Sequence, residues 1–245
     1  MPKYKLIIEY DGTNFVGWQS QDNGKSIQKS IEDAIEKLSN EQVTVFGAGR
    51  TDSGVHAKGQ VAHFEFSKDL ATDNIRDGIN QYLRPLPIAI LKVEKVTNDF
   101  HARFSAKQRI YQYLIINRRP PLTFQRQLAW IIYNKLDIVK IKEATTYFEG
   151  KHDFSAFRSI NCQSLTSIKT INQCSVVNDQ ESITIQVTAK SFLHSQVRIM
   201  TGTLVNVGEG KIKPSDIRQI IEMKDRDKAG VTAPPHGLYL KEIIY

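Results

Sequence analysis

The spacing of apolar residues along the chain predicts strands and helices that alternate throughout the sequence. The segment from Lys3 to Tyr10 alternates apolar and polar side chains, and this period of two predicts a strand that ends at the Asp11-Gly12 turn. Ser26 can cap the next element, a helix whose apolar positions recur every three or four residues. The same reasoning predicts helices opened by Asp73 and by Asp137, a helix over about 194–207, a short helix after Pro214, and strands over 88–96, 109–116, 168–177, 182–189 and 238–244.

Short connections between the predicted strands favour antiparallel pairing, because such loops return a strand next to its neighbour. The pattern therefore indicates an α+β fold with a mixed, mainly antiparallel sheet and flanking helices. The segment RRPPLTFQ, residues 118–125, carries paired prolines and interrupts the periodic pattern. We expect it to be an inserted loop or a break near a domain boundary.

Composition narrows the class of protein without assigning a function. The chain has 245 residues, of which 40% are hydrophobic, so it can bury a sizeable core in one large or two modest domains. Lysine and arginine number 33 against 26 acidic residues, and the net charge of +7 favours a polyanionic partner such as nucleic acid. The same excess of charge is equally compatible with an ordinary solvated surface.

The cysteine pattern argues against a metal-binding protein, and the hydropathy of the chain argues against a secreted or membrane-spanning one. Cys162 and Cys174 have neither a CxxC nor a zinc-ligand spacing, so the sequence indicates no metal site. No signal peptide is visible, and no apolar run approaches the ~20 residues that a membrane-spanning helix needs. We therefore expect a soluble, reduced, cytoplasmic protein with no membrane partner.

The stretch VFGAGRTDSGVHAKGQVAHFEF, residues 45–66, carries the most informative chemistry. Val43, Val45 and residues 61–66 predict two buried strands, with a loop between them that places Arg50 and Asp52. The glycines expected to punctuate this loop are Gly47, Gly49, Gly54 and Gly59. An aspartate in a glycine-rich loop is usually a turn former, so the loop alone does not assign a reaction to Asp52.

This stretch resembles the catalytic segment of the tRNA pseudouridine synthase A family. Other blocks are similar to that family in the same order: YDGTNFVGWQSQ from Tyr10, FHARFSAKQRIYQY from Phe100, GKHDFSAF from Gly150, FLHSQVRIMTGTLVNVGEGK from Phe192 and TAPPHGLYL from Thr232. Six ordered blocks across almost the whole chain are far more specific than one glycine motif. Gln196 stands where the family more often has methionine, a departure that concerns local packing.

The resemblance implies the pseudouridine synthase fold, in which two α/β halves enclose a catalytic cleft. Residues 1–104 would form the half that carries the Asp52 loop, and residues 105–245 the half that completes the cleft. The implied activity is that of an isomerase converting uridine to pseudouridine in the anticodon stem-loop of tRNA, at tRNA positions 38, 39 and 40. The implied assembly is a homodimer, and no cofactor is implied.

The reaction breaks the bond between uracil N1 and the ribose and rejoins the base through C5. Because atoms are conserved and no redox change occurs, the chemistry needs a nucleophile rather than a nicotinamide, ATP or metal cofactor. The resemblance assigns that role to Asp52, whose attack on either ribose C1′ or the uracil ring remains open, and gives Arg198 the role of keeping the carboxylate ionised. Tyr111 would stack on the target uracil or relay its C5 proton. Arg50 would occupy the space that the flipped base leaves.

Two other classes of function remain open from the residues. A catalytically silent RNA-binding module of the same fold would not need Asp52 and Tyr111 together, and a phosphate-ester hydrolase would need metal-binding carboxylates that this loop lacks. His56 and His63 are interpreted as structural or RNA-contacting, since no third ligand accompanies them. The candidates for phosphate contacts are Lys58, Arg76, Arg84, Arg103, Lys107, Arg109 and Arg158.

Overall fold

The computed structural model of the chain describes residues 1–21 and 24–245. These residues form two compact units, Met1–Lys107 together with Tyr239–Tyr245, and Gln108–Leu238. In chain order the elements are β1 (Lys3–Tyr10), α1 (Ile27–Ser39), β2 (Phe46–Gly47), β3 (His56–Glu65), α2 (Thr72–Leu83), β4 (Ile88–Val96), β5 (Gln108–Asn117), β6 (Trp130–Ile132), α3 (Ile138–Thr145), β7 (Gly150–Asp153), β8 (Ile168–Asp179), β9 (Ser182–Ala189), α4 (Gln196–Gly208), α5 (Asp216–Met223) and β10 (Leu238–Ile244).

The first unit is a sheet with two helices packed on it. Its strands lie in the order β4, β1, β3, β10, and β2 adds to β3. β1 runs antiparallel to both β3 and β4, whereas β10 runs parallel to β3, with Tyr239 opposite His56. Tyr4, Leu6 and Ile8 alternate along one face of β1 and are fully buried, because this face forms the core of the unit.

The second unit repeats the combination of sheet and helices. Its strands lie in the order β5, β9, β8, β7 in antiparallel pairs, and the short β6 pairs parallel to β5. α4 packs against α3 and β5 and is buried on nearly every side, as expected for a helix that is apolar around most of its circumference. None of the helices within the described residues is both long and apolar enough to span a membrane.

The signals read from short segments predict these elements well. The Ser26 side chain accepts a hydrogen bond from Lys29 N at 3.2 Å and caps α1, and the Asp137 side chain accepts one from Lys140 N at 3.1 Å and caps α3. The predicted bounds of β1, β4, β9 and β10 are confirmed. The α+β class with a mainly antiparallel sheet is confirmed in each unit, and residues 118–125 lie in an irregular segment between β5 and β6.

Two expectations around the Asp52 loop are wrong. Val43 and Val45 do not form a strand; only Phe46–Gly47 pairs there, opposite His63 and Ala62. Gly47 and Gly59 do not punctuate a loop: Gly47 is the second residue of β2, and Gly59 lies inside β3. A Cβ at Gly59 would stand 2.5 Å from the carbonyl oxygen of Lys241 in β10. The glycine is therefore needed for a close approach of two strands, which no local pattern reveals.

Candidate active site

The loop that carries Asp52 spans residues 48–55, between β2 and β3. Ala48 N donates to Val61 O at 2.8 Å at its start, and Val55 N donates to Asp52 O at 3.2 Å near its end. The second bond closes a turn with the main-chain carbonyl of Asp52, and Gly54 supplies the positive φ of 75° that the turn requires. The Asp52 side chain is half-buried in this turn.

Thr51, the residue before Asp52, is held through both its side chain and its backbone. Its Oγ1 lies 2.8 Å from the hydroxyl of Tyr10 in a buried hydrogen bond, and its carbonyl accepts from Trp18 N at 3.1 Å. Tyr10 ends β1, so the Asp52 loop is tied to the core strand of the sheet. These contacts fix the backbone next to the carboxylate, and sequence reasoning, which placed Tyr10 only at the end of a strand, missed them.

The segment that follows β1 lies directly on the Asp52 loop. A Cβ at Gly17, whose φ is +109°, would stand 2.5 Å from Thr51 O, and a Cβ at Gly12 would stand 2.0 Å from Val55 O. Ser53, the residue after Asp52, donates from its Oγ to Phe15 O at 3.1 Å. The two backbones therefore approach so closely that only glycine fits, and the spacing of glycines in YDGTNFVGW is the one sequence signal that could have predicted this contact.

Arg50 lies in the same loop and is exposed. Its Nε donates to the side-chain oxygen of Gln19 at 3.1 Å, and the preceding Gly49 carbonyl accepts from the buried Gln60 side chain at 2.9 Å. The base of the arginine is thus fixed while its charge lies at the surface. The structure therefore brings Arg50 and Asp52 together in one rigid turn.

His56, one of the two histidines of this region, has a structural role. His56 is buried, its Nδ1 accepts a hydrogen bond from Gly12 N at 3.0 Å, and its ring stacks on Tyr239 with centroids 4.8 Å apart. Asp11 Oδ1 lies 3.1 Å from the same nitrogen, but it also accepts from Thr13 N at 2.9 Å. Within the described residues no group of three or more His, Cys, Asp or Glu side chains is arranged to hold a metal ion.

Tyr111 and Arg198 belong to the second unit. Tyr111 lies on β5 opposite Val187, is largely buried, and packs edge-on against Phe192 with ring centroids 5.2 Å apart. Arg198 lies in the first turn of α4 and is half-buried. Its Nε donates to Ala233 O at 2.7 Å, and Ala233 N donates back to Arg198 O at 3.2 Å.

Tyr113 supports the same segment that holds Arg198. Its hydroxyl donates to Pro234 O at 2.7 Å, next to the Ala233 carbonyl that orients the guanidinium. Burial raises the pKa of Tyr113, and the charge of Arg198 opposes that rise, so the two side chains lie within electrostatic range. Since alternate residues of a strand share a face, Tyr111 and Tyr113 project to the side of β5 on which Arg198 lies.

The substitution of glutamine in FLHSQVR is accommodated at the start of α4. Ser195 adopts a left-handed conformation with φ +60°, and Gln196 Oε1 accepts from Leu193 N at 2.8 Å. The amide nitrogen of Gln196 is buried and finds no acceptor among the described residues. Gln196 therefore ties the backbone that precedes α4 to the start of the helix and leaves one buried donor unsatisfied.

Several of the arginines predicted to contact phosphates are engaged within the protein. Arg158 donates to Cys162 O at 2.6 Å and Ser164 O at 3.1 Å, which organises the 159–167 loop. The other engaged side chains are Arg76, which pairs with Asp73 and Asp77, and Arg109, which donates to Lys190 O. These side chains have intramolecular roles beside any contact with RNA.

The family model and the curated relatives that match this chain agree on one family. A family model described as tRNA pseudouridine synthase matches residues 6–105 and 144–245. The tRNA pseudouridine synthase A of Methylocella silvestris is 51% identical over 100% of this chain and 99% of its own length, and that of Ehrlichia chaffeensis is 50% identical over 99% and 100%. A solved structure titled "Crystal Structure of a Cbf5-Nop10-Gar1 Complex" is a distant match, with 11% identity, a TM-score of 0.33 and coverage of 82% of this chain and 54% of that chain.

Proposed function

Because the chain belongs to the tRNA pseudouridine synthase family, we propose that it converts uridine to pseudouridine in tRNA with Asp52 as the nucleophile. Its class of activity is that of an isomerase acting on tRNA. The observation that carries the assignment of Asp52 is the way its loop is held. Thr51 is fixed by Tyr10 and Trp18, and the turn at Asp52 is closed by a main-chain carbonyl.

That geometry is suited to a nucleophile because hydrogen bonds hold the backbone that carries the carboxylate. The turn at Asp52 is closed through the main chain, because Val55 N donates to the Asp52 carbonyl oxygen. The half-buried position keeps the carboxylate accessible to a substrate from one side. A preorganised side chain on a clamped loop is what covalent catalysis requires.

The proposed reaction conserves every atom of the nucleotide. The bond between N1 and ribose C1′ breaks, a bond between C5 and C1′ forms, the proton leaves C5, and N1 gains a proton. Asp52 forms a covalent bond with the nucleotide during the exchange, at either C1′ or the uracil ring. Tyr111 stacks on the target uracil, and its hydroxyl lies near the C5 proton that is lost.

The two arginines have separate roles in this proposal. Arg198 supplies the cation that keeps the nucleophile ionised, and its Nε bond to Ala233 O sets the plane of the guanidinium. Arg50 enters the stem where the target base has flipped out, supported at its base by Gln19. Arg198→Met should therefore lower kcat, whereas Arg50→Ala should weaken the productive complex with tRNA.

The finer assignments rest on the family and complete the proposal. The target lies in the anticodon stem-loop at tRNA positions 38, 39 and 40. The active form is a homodimer that works in the cytoplasm.

The experiment that tests the proposal is release of tritium from C5-labelled uridines in an unmodified tRNA transcript. The protein is compared with Asp52→Asn and with Asp33→Asn, a matched substitution on the exposed face of α1. We expect release by the unaltered protein and by Asp33→Asn, and none by Asp52→Asn, which should still bind the transcript. Equal release by both variants would remove Asp52 from the mechanism. Binding of tRNA without release by any form would indicate a silent RNA-binding module.

A further inference from the structure

A cluster of five rings lies on the first unit, outside the Asp52 loop. Phe46 stacks on His63 with centroids 5.2 Å apart, and His63 contacts His101 at 4.6 Å and Phe100 at 6.1 Å. His101 in turn contacts Phe104 at 4.4 Å. We call Phe46, His63, Phe100, His101 and Phe104 the aromatic platform.

The aromatic platform is open to solvent at its outer rings. Phe104 is 74% exposed and Phe46 is 47% exposed, whereas His63 beneath them is buried. Phe124 is 97% exposed as well, but it lies in an irregular loop and has no ring partner among the described residues. Contiguous exposed apolar surface supported from below is typical of an interaction site, whereas single exposed residues need no explanation.

The backbone beneath the aromatic platform is held in place at several points. Lys3 Nζ donates to Asn98 O at 2.7 Å and to Phe100 O at 3.3 Å. The hydroxyl of Tyr245 donates to Ala102 O at 2.7 Å. The segment therefore presents its rings in a fixed arrangement, which lowers the entropy lost when a partner binds.

The turn that displays Phe104 is closed by its own side chains. His101 Nδ1 accepts from Arg103 N at 3.1 Å, and the Ser105 hydroxyl oxygen accepts from His101 N at 3.0 Å. Ser105 N donates to His101 O at 2.9 Å. Because Nδ1 of His101 is used as an acceptor, the ring is neutral in this turn.

The electrostatics of the aromatic platform favour a base over a charged group. Burial lowers the pKa of His63 to about 4, helped by His101 and Lys3, and burial with Lys3 and Arg103 also lowers the pKa of His101. Both rings are therefore uncharged near neutral pH and offer π surfaces. The Arg103 guanidinium lies 5.7 Å from the Phe104 centroid, so a cation accompanies the exposed ring.

The aromatic platform lies within reach of the RNA that Asp52 engages. Phe46 starts β2, which leads directly into the Asp52 loop, and Asp52 lies six positions after it. At ~3.3–3.6 Å per residue, their Cα atoms are at most about 22 Å apart. One tRNA molecule is large enough to contact both.

We propose that the aromatic platform is an RNA contact on which an unpaired base of the tRNA substrate stacks, against Phe104 and Phe46, with Arg103 beside it. The proposal rests on the function proposed above for its choice of ligand. Aromatic rings combined with arginine are the common means of holding unstacked bases. The net charge of +7 complements the phosphates that flank such a base.

The test is the dissociation constant for an unmodified tRNA transcript, measured over a series of salt concentrations. The variants are Phe104→Ala, Phe104→Leu and Phe104→Tyr, with Phe124→Ala as the matched control on an equally exposed phenylalanine. We expect Phe104→Ala and Phe104→Leu to weaken binding about tenfold at every salt concentration, because stacking does not release counterions. Phe104→Tyr keeps a ring and should bind as the unaltered protein does, as should Phe124→Ala.

A variant at a candidate phosphate contact shows whether the salt series distinguishes stacking from phosphate binding. Lys107→Ala, at a candidate phosphate contact, should reduce the slope of log Kd against log salt by about one, whereas the Phe104 variants should shift the line in parallel. Unchanged affinity for Phe104→Ala would overturn the proposal, as would a loss that Phe104→Tyr fails to rescue. A change of oligomeric state in sedimentation, with unchanged tRNA affinity, would assign the surface to a second copy of this chain and overturn it too.

The failure of this proposal is distinguishable from failure of the proposed function. Tritium release by the unaltered protein reports the reaction, whereas the Phe104 series reports binding. If tritium is released and the Phe104 variants bind normally, only the aromatic platform is wrong. If the unaltered protein fails to bind tRNA, the aromatic platform is wrong as well.

Discussion

The Asp52 loop in the first unit holds Asp52 and the start of α4 in the second unit holds Arg198, but by different physical means. The Asp52 loop is irregular, so its polar groups form hydrogen bonds with groups of another segment. The Tyr10 hydroxyl bonds Thr51 Oγ1, and the Phe15 carbonyl accepts from Ser53 Oγ. Arg198 lies in the first turn of a regular helix, and the backbone of a single residue, Ala233, bonds both its guanidinium and its carbonyl.

This difference predicts where damage should appear in each region. A change beside the Asp52 loop moves the carboxylate that we propose as the nucleophile, so it should lower kcat more than the free energy of unfolding. A change beside α4 disrupts a buried helix, so it should lower the free energy of unfolding more than kcat. Substitutions at the close backbone approaches in each region test that contrast.

The largest expected effect is that of Gly202→Ala on stability. A Cβ at this position in α4 would stand 1.9 Å from Val231 O, so the helix and the 230–234 segment must separate. We expect a loss of about 4 kcal/mol in the free energy of unfolding by urea, at the upper end for overpacking. Gly210→Ala is the control, since it has positive φ but nothing within 4 Å, and it should lose about 1 kcal/mol. Equal losses for the two variants would contradict the close approach.

Gly17→Ala is the corresponding change at the Asp52 loop. Its Cβ would stand 2.5 Å from Thr51 O, and its φ of +109° is unfavourable for alanine. The displaced Thr51 carries Asp52 with it, so we expect kcat for tritium release to fall about a hundredfold, a larger effect than the accompanying loss of about 2 kcal/mol in stability suggests. A variant that is destabilised but releases tritium at the normal rate would show that the close approach of Gly17 to Thr51 does not position the Asp52 carboxylate.

The fold was largely predictable from sequence because its signals are local. Alternation gave β1, and the caps Ser26 and Asp137 lie within three residues of the backbone groups they bond. The contacts that hold the site join positions far apart in the chain, such as Tyr10 with Thr51. No pattern within a short window encodes such a pair.

The same distinction separates the predicted site residues from their supports. Asp52, Arg50, Tyr111 and Arg198 were identified by resemblance, and their roles stay predictions, as does the division of the chain into domains at residues 104 and 105. Gly59 was assigned to a loop because glycine usually marks one, whereas its place in β3 depends on a strand almost two hundred residues later. Only the fold brings those two segments together.

A smaller effect, confined to the first unit, should appear in the pH dependence of unfolding. Burial lowers the pKa of His63 to about 4, so between pH 6.5 and pH 4 the unfolded chain takes up a proton that the folded chain does not. The free energy of unfolding should therefore fall by about 2 kcal/mol as pH drops through this window and stay level above it. His63→Gln does not titrate, so this part of the pH dependence should vanish. Persistence of the full loss in His63→Gln would assign it to other groups.

The smallest expected effects are those of removing one buried hydroxyl in each region. Tyr10→Phe removes the bond to Thr51 Oγ1, and Tyr113→Phe removes the bond to Pro234 O, each at an expected loss of about 1 kcal/mol in the free energy of unfolding. Thr51 adjoins the proposed nucleophile Asp52, whereas Pro234 lies one residue beyond the Ala233 carbonyl that orients Arg198. We therefore expect Tyr10→Phe to lower kcat about fivefold and Tyr113→Phe to lower it less, measured by single-turnover tritium release. The reverse order would mean that catalysis depends more on the 230–234 segment beside α4 than on the hydrogen bond between Tyr10 and Thr51.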